Sequence, residues 1–252
     1  MSRAASTVDD IPAGIESLQT NVNGYRTHYL KAGAGPPVVL LHGGASDSRD
    51  WLPTMAALSQ SYTLYAPDLL GFGQNERNSE GYYLSEFSNF IIRFLDALGL
   101  EKPALAGHSF GGRVCLDIAL QHPEKVGRLV LADAAGLGKV SKFGTVVLTG
   151  FWVARKLFRI PQPYPKFLAR EGDDPNWACV DELPNLKIPT LIIWKRHDPY
   201  LPLSIGRRAA ELIPEVRLVI VPGYGHAPHG RTNEEFNKYL LEFLDQSTLH
   251  GL

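Results

Sequence analysis

The chain has 252 residues, 44% of them hydrophobic and 20% charged, which is enough apolar material for one large globular core. Its 25 Lys and Arg residues oppose 26 Asp and Glu, giving a formal net charge of −1. A chain so near neutrality has no long-range field to draw in nucleic acid or an anionic membrane, so a small, weakly charged molecule is the expected partner.

Residues 1–14, rich in Ser, Ala, Gly and Pro, read as a flexible tail. Residues 16–22 and 25–31 flank Asn23-Gly24, the dipeptide best suited to a type I′ hairpin turn. After a Gly- and Pro-rich break, Val38-Val39-Leu40-Leu41 reads as a strand buried on both faces and runs into His42-Gly43-Gly44. A helix is expected over 50–60, and a strand over 62–67 leads into Asp68-Leu69-Leu70-Gly71-Phe72-Gly73. Apolar residues at 84, 87, 90, 91, 94, 95 and 98 have the spacing of an amphipathic helix that Gly99 can end. A strand over 103–107, a helix over 112–120 and a buried strand over 128–132 follow. Residues 136–186 interrupt this rhythm with five prolines and two aromatic clusters. Alternation resumes with strands over 190–194 and 216–221 and helices over 204–213 and 234–243.

Strand and helix alternating in this way predict an α/β fold, a mostly parallel sheet with helices on both faces. The core is expected to span 15–135 and 187–252, with 136–186 inserted as a short helical lid. Cys115 and Cys179 lie far apart with no Cys-x-x-Cys or Cys/His cluster, which disfavours structural zinc and suits a reducing cytosol. Residues 1–10 lack the apolar core of a secretory signal, and no run approaches the roughly 20 apolar residues that span a bilayer. A cytoplasmic protein without a membrane span is the expectation, its oligomeric state (monomer or homodimer) left open.

Gly107-His108-Ser109-Phe110-Gly111 is a Gly-x-Ser-x-Gly segment between strand and helix. A sharp turn there lifts a serine hydroxyl off the sheet edge, and flanking glycines relieve the crowding. With His42-Gly43-Gly44, Pro67 to Gly73, Pro189 to Trp194, Asp198 and Gly225-His226 in this order, the chain resembles the α/β-hydrolases, specifically the lidded fold-1 family. The resemblance covers about residues 22–245.

It implies Ser109 as nucleophile, His226 as base and Asp198 as the acid that orients the base. His229, three residues beyond His226, is the rival base, and Asp133 at the end of an earlier strand is the alternative acid. Lys195 stands where the family commonly has glycine, so the turn that aims Asp198 is open to change. The backbone N–H groups of Gly44 and Phe110 are the implied oxyanion hole. Asp68 to Gly73 is expected to shape a neighbouring loop. Aspartate occupies the nucleophile position in relatives that open epoxides or displace halide, so serine disfavours those reactions.

The implied function is hydrolysis of a small, largely apolar carboxylic ester through an acyl-enzyme, without cofactor or metal. The alternative is hydrolysis of a carbon–carbon bond in a vinylogous diketone, in which Arg113 or Arg155 would bind the substrate's acid group. A ligand receptor on a hydrolase scaffold is the reading from another class, and a complete triad argues against it. In the lid, Phe143, Val146, Val147, Phe151, Val153, Leu157 and Phe158 have helical spacing, with Arg155, Lys156 and Arg159 interleaved. A helix packed over the pocket is expected, because near-neutral overall charge does not favour a membrane-surface helix. Tyr164, Phe167 and Trp177 are candidate pocket walls.

Overall fold

The computed structural model describes residues 11–44, 46–76, 82–158, 179–230 and 234–246. β1 (Ile15–Val22) and β2 (Tyr25–Ala32) form the expected hairpin, paired antiparallel from Ile15↔Ala32 to Val22↔Tyr25. Both turn residues have positive φ, 50° at Asn23 and 92° at Gly24, as a type I′ turn requires. Ile15, where the core is expected to begin, is the first residue to pair in the sheet.

Six further strands follow: β3 (Pro37–Leu41), β4 (Thr63–Pro67), β5 (Ala104–His108), β6 (Arg128–Ala132), β7 (Thr190–His197) and β8 (Val216–Tyr224). They complete an eight-stranded sheet in the order β1-β2-β4-β3-β5-β6-β7-β8. Only β2 runs against the rest, pairing antiparallel with both β1 and β4. The predicted mostly parallel α/β architecture is the fold observed. β7 and β8 run three residues further than the apolar pattern suggested, because their ends still pair, Lys195 with Val221 and, past an irregularity, His197 with Tyr224.

Each central strand is buried on both faces, and its alternate residues enter different cores. Val39 and Leu41 of β3 point to one core and Val38 and Leu40 to the other; Leu129 and Leu131 of β6 divide likewise from Val130 and Ala132. The first core is roofed by α2 (Leu84–Ala97), α3 (Phe110–Gln121) and α5 (Leu203–Leu212). The second lies under α1 (Leu52–Leu58) and α6 (Glu234–Asp245), through Met55, Leu58, Phe236, Leu240 and Phe243. α2 buries the predicted stripe Leu84, Phe87, Phe90, Ile91, Phe94 and Leu95, and Gly99 ends the turn beyond it at φ 63°. Glu86 caps its first turn by accepting the Tyr83 N–H at 2.7 Å.

α4 (Lys142–Phe158) is the long helix after β6. Leu137, Cys179, Leu183 and Leu186, from the two ends of the 136–186 stretch, are buried in the first core. The candidate pocket walls Tyr164, Phe167 and Trp177 and the basic Arg159 lie outside the described residues. β3 lies between β4 and β5, so successive connections leave it in opposite directions along the sheet. In open parallel sheets a crevice opens at the carboxyl ends of strands at such a reversal. His42-Gly43-Gly44 leaves β3 there, and Ser109 leaves β5.

Candidate active site

Ser109 links the end of β5 to the start of α3 with φ 50° and ψ −114°. Positive φ in a non-glycine residue costs about 1–3 kcal/mol and persists only where surrounding bonds over-determine it. Here the Ser109 N–H donates to Ala132 O at 3.0 Å, and its carbonyl accepts from Ala135 and Arg113 at 3.0 and 3.1 Å. The strain therefore sits on the serine itself. The flanking glycines serve a different need, close approach. A Cβ on Gly107 would lie 2.4 Å from Gly111 O, and one on Gly111 would lie 2.3 Å from Leu41 O.

His226 Nε2 stands 2.8 Å from Ser109 Oγ, and His226 Nδ1 stands 2.5 Å from Asp198 Oδ2. A carboxylate only accepts, so Nδ1 carries the proton, and Nε2 presents its lone pair to the serine hydroxyl. The other Asp198 oxygen accepts the N–H groups of Tyr200 at 2.7 Å and Leu201 at 3.0 Å, which holds the carboxylate in place. Lys195, in place of a family glycine, does not deflect this turn. Its N–H instead donates to Asp133 Oδ1 at 2.8 Å.

Asp133 lies at the end of β6 with φ 40° and no exposure. One carboxyl oxygen each from Asp133 and Asp198 and a ring nitrogen of His226 lie within 4.8 Å of one another. Burial first, then the neighbouring charge of Asp198, pushes the Asp133 pKa well above the usual carboxylate range, to about 8. The two candidate acids are thus neighbours rather than alternatives in space, and His226 bonds to Asp198.

The rival base is elsewhere. The His229 ring is 3% exposed and stacks on Trp51 at 4.3 Å between centroids. Burial depresses its pKa to about 3, so it is a neutral packing group. Sequence reasoning gave two other histidines no role. His108 donates from Nε2 to the carbonyl of His226 at 2.5 Å and so grips the loop that carries the base. His42 donates from Nδ1 to Gly43 O at 2.8 Å and accepts the Leu69 N–H on Nε2 at 3.0 Å. Only their places in His42-Gly43 and His108-Ser109 marked them; their partners are 27 and 118 residues away.

The Gly43-Gly44 turn lies against the nucleophile. A Cβ on Gly43 would be 3.5 Å from Ser109 Cβ, and one on Gly44 would be 3.5 Å from Phe110 Cβ. Phe110 begins α3, so its N–H lies at the positive end of the helix dipole. The predicted loop role of Asp68 to Gly73 has a clear physical basis. Asp68 accepts from His28 Nδ1 and Ser48 N at 2.8 Å and from Gln74 N at 2.9 Å. Burial opposes its ionisation, but these bonds outweigh it and lower the pKa. Gly73, at φ 52°, passes so close that a Cβ would lie 2.1 Å from an Asp68 oxygen.

Asp50, His108 and His229 also bring metal-type donor atoms within 4.8 Å of one another. His108 has already committed Nε2 to His226, and its Nδ1 abuts the Gly43 backbone, where an added Cβ would come within 2.8 Å. That crowding does not suit an ion. Arg113, a candidate for holding a substrate acid group, is 1% exposed and reaches Asp117 at 3.4 Å. It is turned into the protein, which corrects that expectation. Arg155 lies on α4, and its side chain lies outside the described residues.

At the mouth, the Tyr200 ring stands 5.3 Å from that of His226 and 5.9 Å from that of Phe143. Ser141 fastens the start of α4 to the same rim, donating from N to Tyr200 O at 2.8 Å and from Oγ to Pro199 O at 2.5 Å.

The family model described as alpha/beta hydrolase fold matches residues 36–159, and a second, described as TAP-like protein, matches 173–251. The chain is 29% identical to the 2-hydroxymuconate semialdehyde hydrolase of Pseudomonas putida, over 90% of this chain and 94% of that enzyme. Among solved structures it is similar to the meta-cleavage product hydrolase of Pseudomonas fluorescens, at TM-score 0.72 and 28% identity, covering 90% of this chain and 97% of that one. A bacterial membrane phospholipase A aligns at TM-score 0.76 and 26% identity, covering 92% and 86%. With the fold, the strand order and these matches in agreement, the chain belongs to the alpha/beta hydrolase superfamily.

Proposed function

We propose that this hydrolase cleaves a small, largely apolar carboxylic ester through an acyl-enzyme formed on Ser109. The observation that carries the reading is the continuous path from Asp198 through both nitrogens of His226 to Ser109 Oγ. A serine hydroxyl is a weak nucleophile until a base takes its proton, and His226 Nε2 is at hydrogen-bonding distance to do so. In the proposed sequence Ser109 Oγ attacks the ester carbonyl while its proton passes to His226. The tetrahedral oxyanion forms between the N–H groups of Gly44 and Phe110. Collapse expels the alcohol, which takes the proton from His226. Water, deprotonated by His226, then attacks the acyl carbon and frees the acid and Ser109. Asp198 stays ionised throughout, holding the tautomer and stabilising the imidazolium. We take 136–186 as a lid whose residues select the acyl group.

A second reading is favoured by the Pseudomonas putida relative, whose name describes hydrolysis of a semialdehyde rather than of an ester. On that reading the same groups would break a carbon–carbon bond, and Arg155 is the remaining named cation for the substrate's acid group. The phospholipase neighbour, an ester hydrolase by name, favours the first reading.

Steady-state turnover of a p-nitrophenyl ester series, beside a chromophoric vinylogous 1,5-diketone acid, separates the two. Ester turnover, with labelling of the wild type but not of Ser109→Ala by a fluorophosphonate probe, is the expected result. Turnover of the diketone with no ester cleavage would transfer the assignment to the second reading. Absence of both turnover and labelling would leave a ligand receptor on a hydrolase scaffold.

A further inference from the structure

α4 presents its apolar stripe outward. Phe143, Val146, Val147, Val153, Leu157 and Phe158 are 37–73% exposed, and they are six of the nine large exposed hydrophobics among the described residues. At 100° per residue they occupy one arc of roughly 140°, so this is a coherent face rather than scattered apolar side chains. On one flank of this arc Gly144 is buried, packed beside Val140 and the Tyr200 backbone. A contiguous exposed apolar face of this kind marks an interaction surface.

The charge around it is as uneven. Four of the 25 Lys and Arg residues fall within 136–158, and none of the 26 Asp and Glu do. The rest of the chain therefore carries five more acidic than basic residues. A net charge of −1 averages over this segregation, and the average is not what a nearby surface senses. At physiological ionic strength the screening length is about 8 Å, so a surface meeting α4 responds to the local excess of cations. Lys139 and Lys142, at the start of the helix, are both exposed.

We propose that α4 and its basic surroundings dock on the surface of an anionic lipid bilayer. Apolar side chains on one face combined with an excess of Lys and Arg are the two attractions that hold an amphipathic helix in the headgroup region. The contact would set the mouth of the site at the interface, because Phe143 on this face meets Tyr200, which meets the His226 ring. No described helix is long and apolar enough to cross a membrane, so the association is peripheral. Docking does not depend on the reaction proposed for Ser109.

Sedimentation of the full chain with vesicles of phosphatidylcholine, alone or with about one third phosphatidylglycerol, tests this in both the wild type and Ser109→Ala. The expected result is about tenfold or greater partitioning onto the anionic vesicles, equal in the two proteins and reduced by high salt. Val146→Asp/Leu157→Asp and, separately, Lys139→Glu/Lys142→Glu should each lower it at least severalfold with unchanged circular dichroism. The surface charge pair guards against misfolding of the apolar pair. Absence of binding, or equal binding to both vesicle types, overturns the proposal. A homodimer that Val146→Asp/Leu157→Asp dissociates, without vesicle binding, would assign the face to a second copy. A monomer without vesicle binding would leave it to other residues of this chain.

Discussion

Three side chains define the proposed chemistry, and their neighbours define how they can be tested. Ser109→Ala should lower ester kcat by about 10³-fold or more while the protein stays folded, because the attacking oxygen is lost and the elbow keeps its backbone bonds. Asp198→Asn should cost about 10⁴-fold in kcat, since an amide can favour the wrong tautomer of His226. Asp133→Asn should stay within about tenfold. The amide oxygen can still accept the Lys195 N–H, and Asp133 does not itself hold His226. If Asp133→Asn silences the enzyme and Asp198→Asn spares it, the two roles are reversed.

The pH dependence of stability gives Asp133 a second signature. Its pKa is raised on folding from about 3.8 to about 8, so the native state holds a proton that the unfolded state has released. The sign follows directly. This contribution is complete below about pH 4 and is lost as pH rises through about 8, with a limiting slope of about 1.4 kcal/mol per pH unit. An asparagine amide at this position has no such proton to lose. Denaturant titrations at pH 5, 7 and 9 should therefore show wild-type stability falling more steeply than that of Asp133→Asn; parallel curves would contradict a protonated Asp133.

Among the elements, the junction of β3, β5 and α3 is the least tolerant of change. Gly107 and Gly111 allow helix, strand and the β3 turn to meet at backbone contact, and an added methyl would overlap backbone atoms that no rotamer change can move. Gly111→Ala should destabilise the protein by about 3 kcal/mol or more and lower Tm accordingly, measurable by thermal denaturation. Glycine at these two positions was legible in the pattern, and so was crowding as its reason. In the fold the positive φ belongs to Ser109, and the two glycines are there for lack of volume. Element ends escaped the pattern. α3 starts two residues earlier than its apolar periodicity, since helix geometry begins directly after the elbow, and β8 continues past its apolar run to Tyr224 because His197 of β7 is there to pair with it.

At the scale of the molecule, both cysteines are free and within 1% of full burial, and burial raises the pKa of each thiol. Thiolate is the reactive form, so native protein should react with a disulfide reagent only on the timescale of opening, while denatured protein yields both thiols at once. Rapid labelling of one thiol in native protein would place that cysteine outside the core. Alternating apolar and polar stretches were sufficient to predict a mostly parallel, doubly covered sheet, because burial on both faces leaves continuous apolar strands that local reading can see. The order of Ser109, Asp198 and His226 was equally legible as a motif. Contacts across the chain decided the rest. Choosing His226 over His229 depended on which ring reaches Ser109 and which lies under Trp51. The relation of Asp133 to Asp198 depended on adjacent strand ends that are 65 residues apart in the chain. The exposure of the apolar arc of α4 depended on what the body leaves uncovered, which periodicity cannot tell. Sequence by itself determined which residues could do chemistry; tertiary structure decided which of them meet, because hydrogen bonds and burial act over a few ångströms of space whatever the distance along the chain.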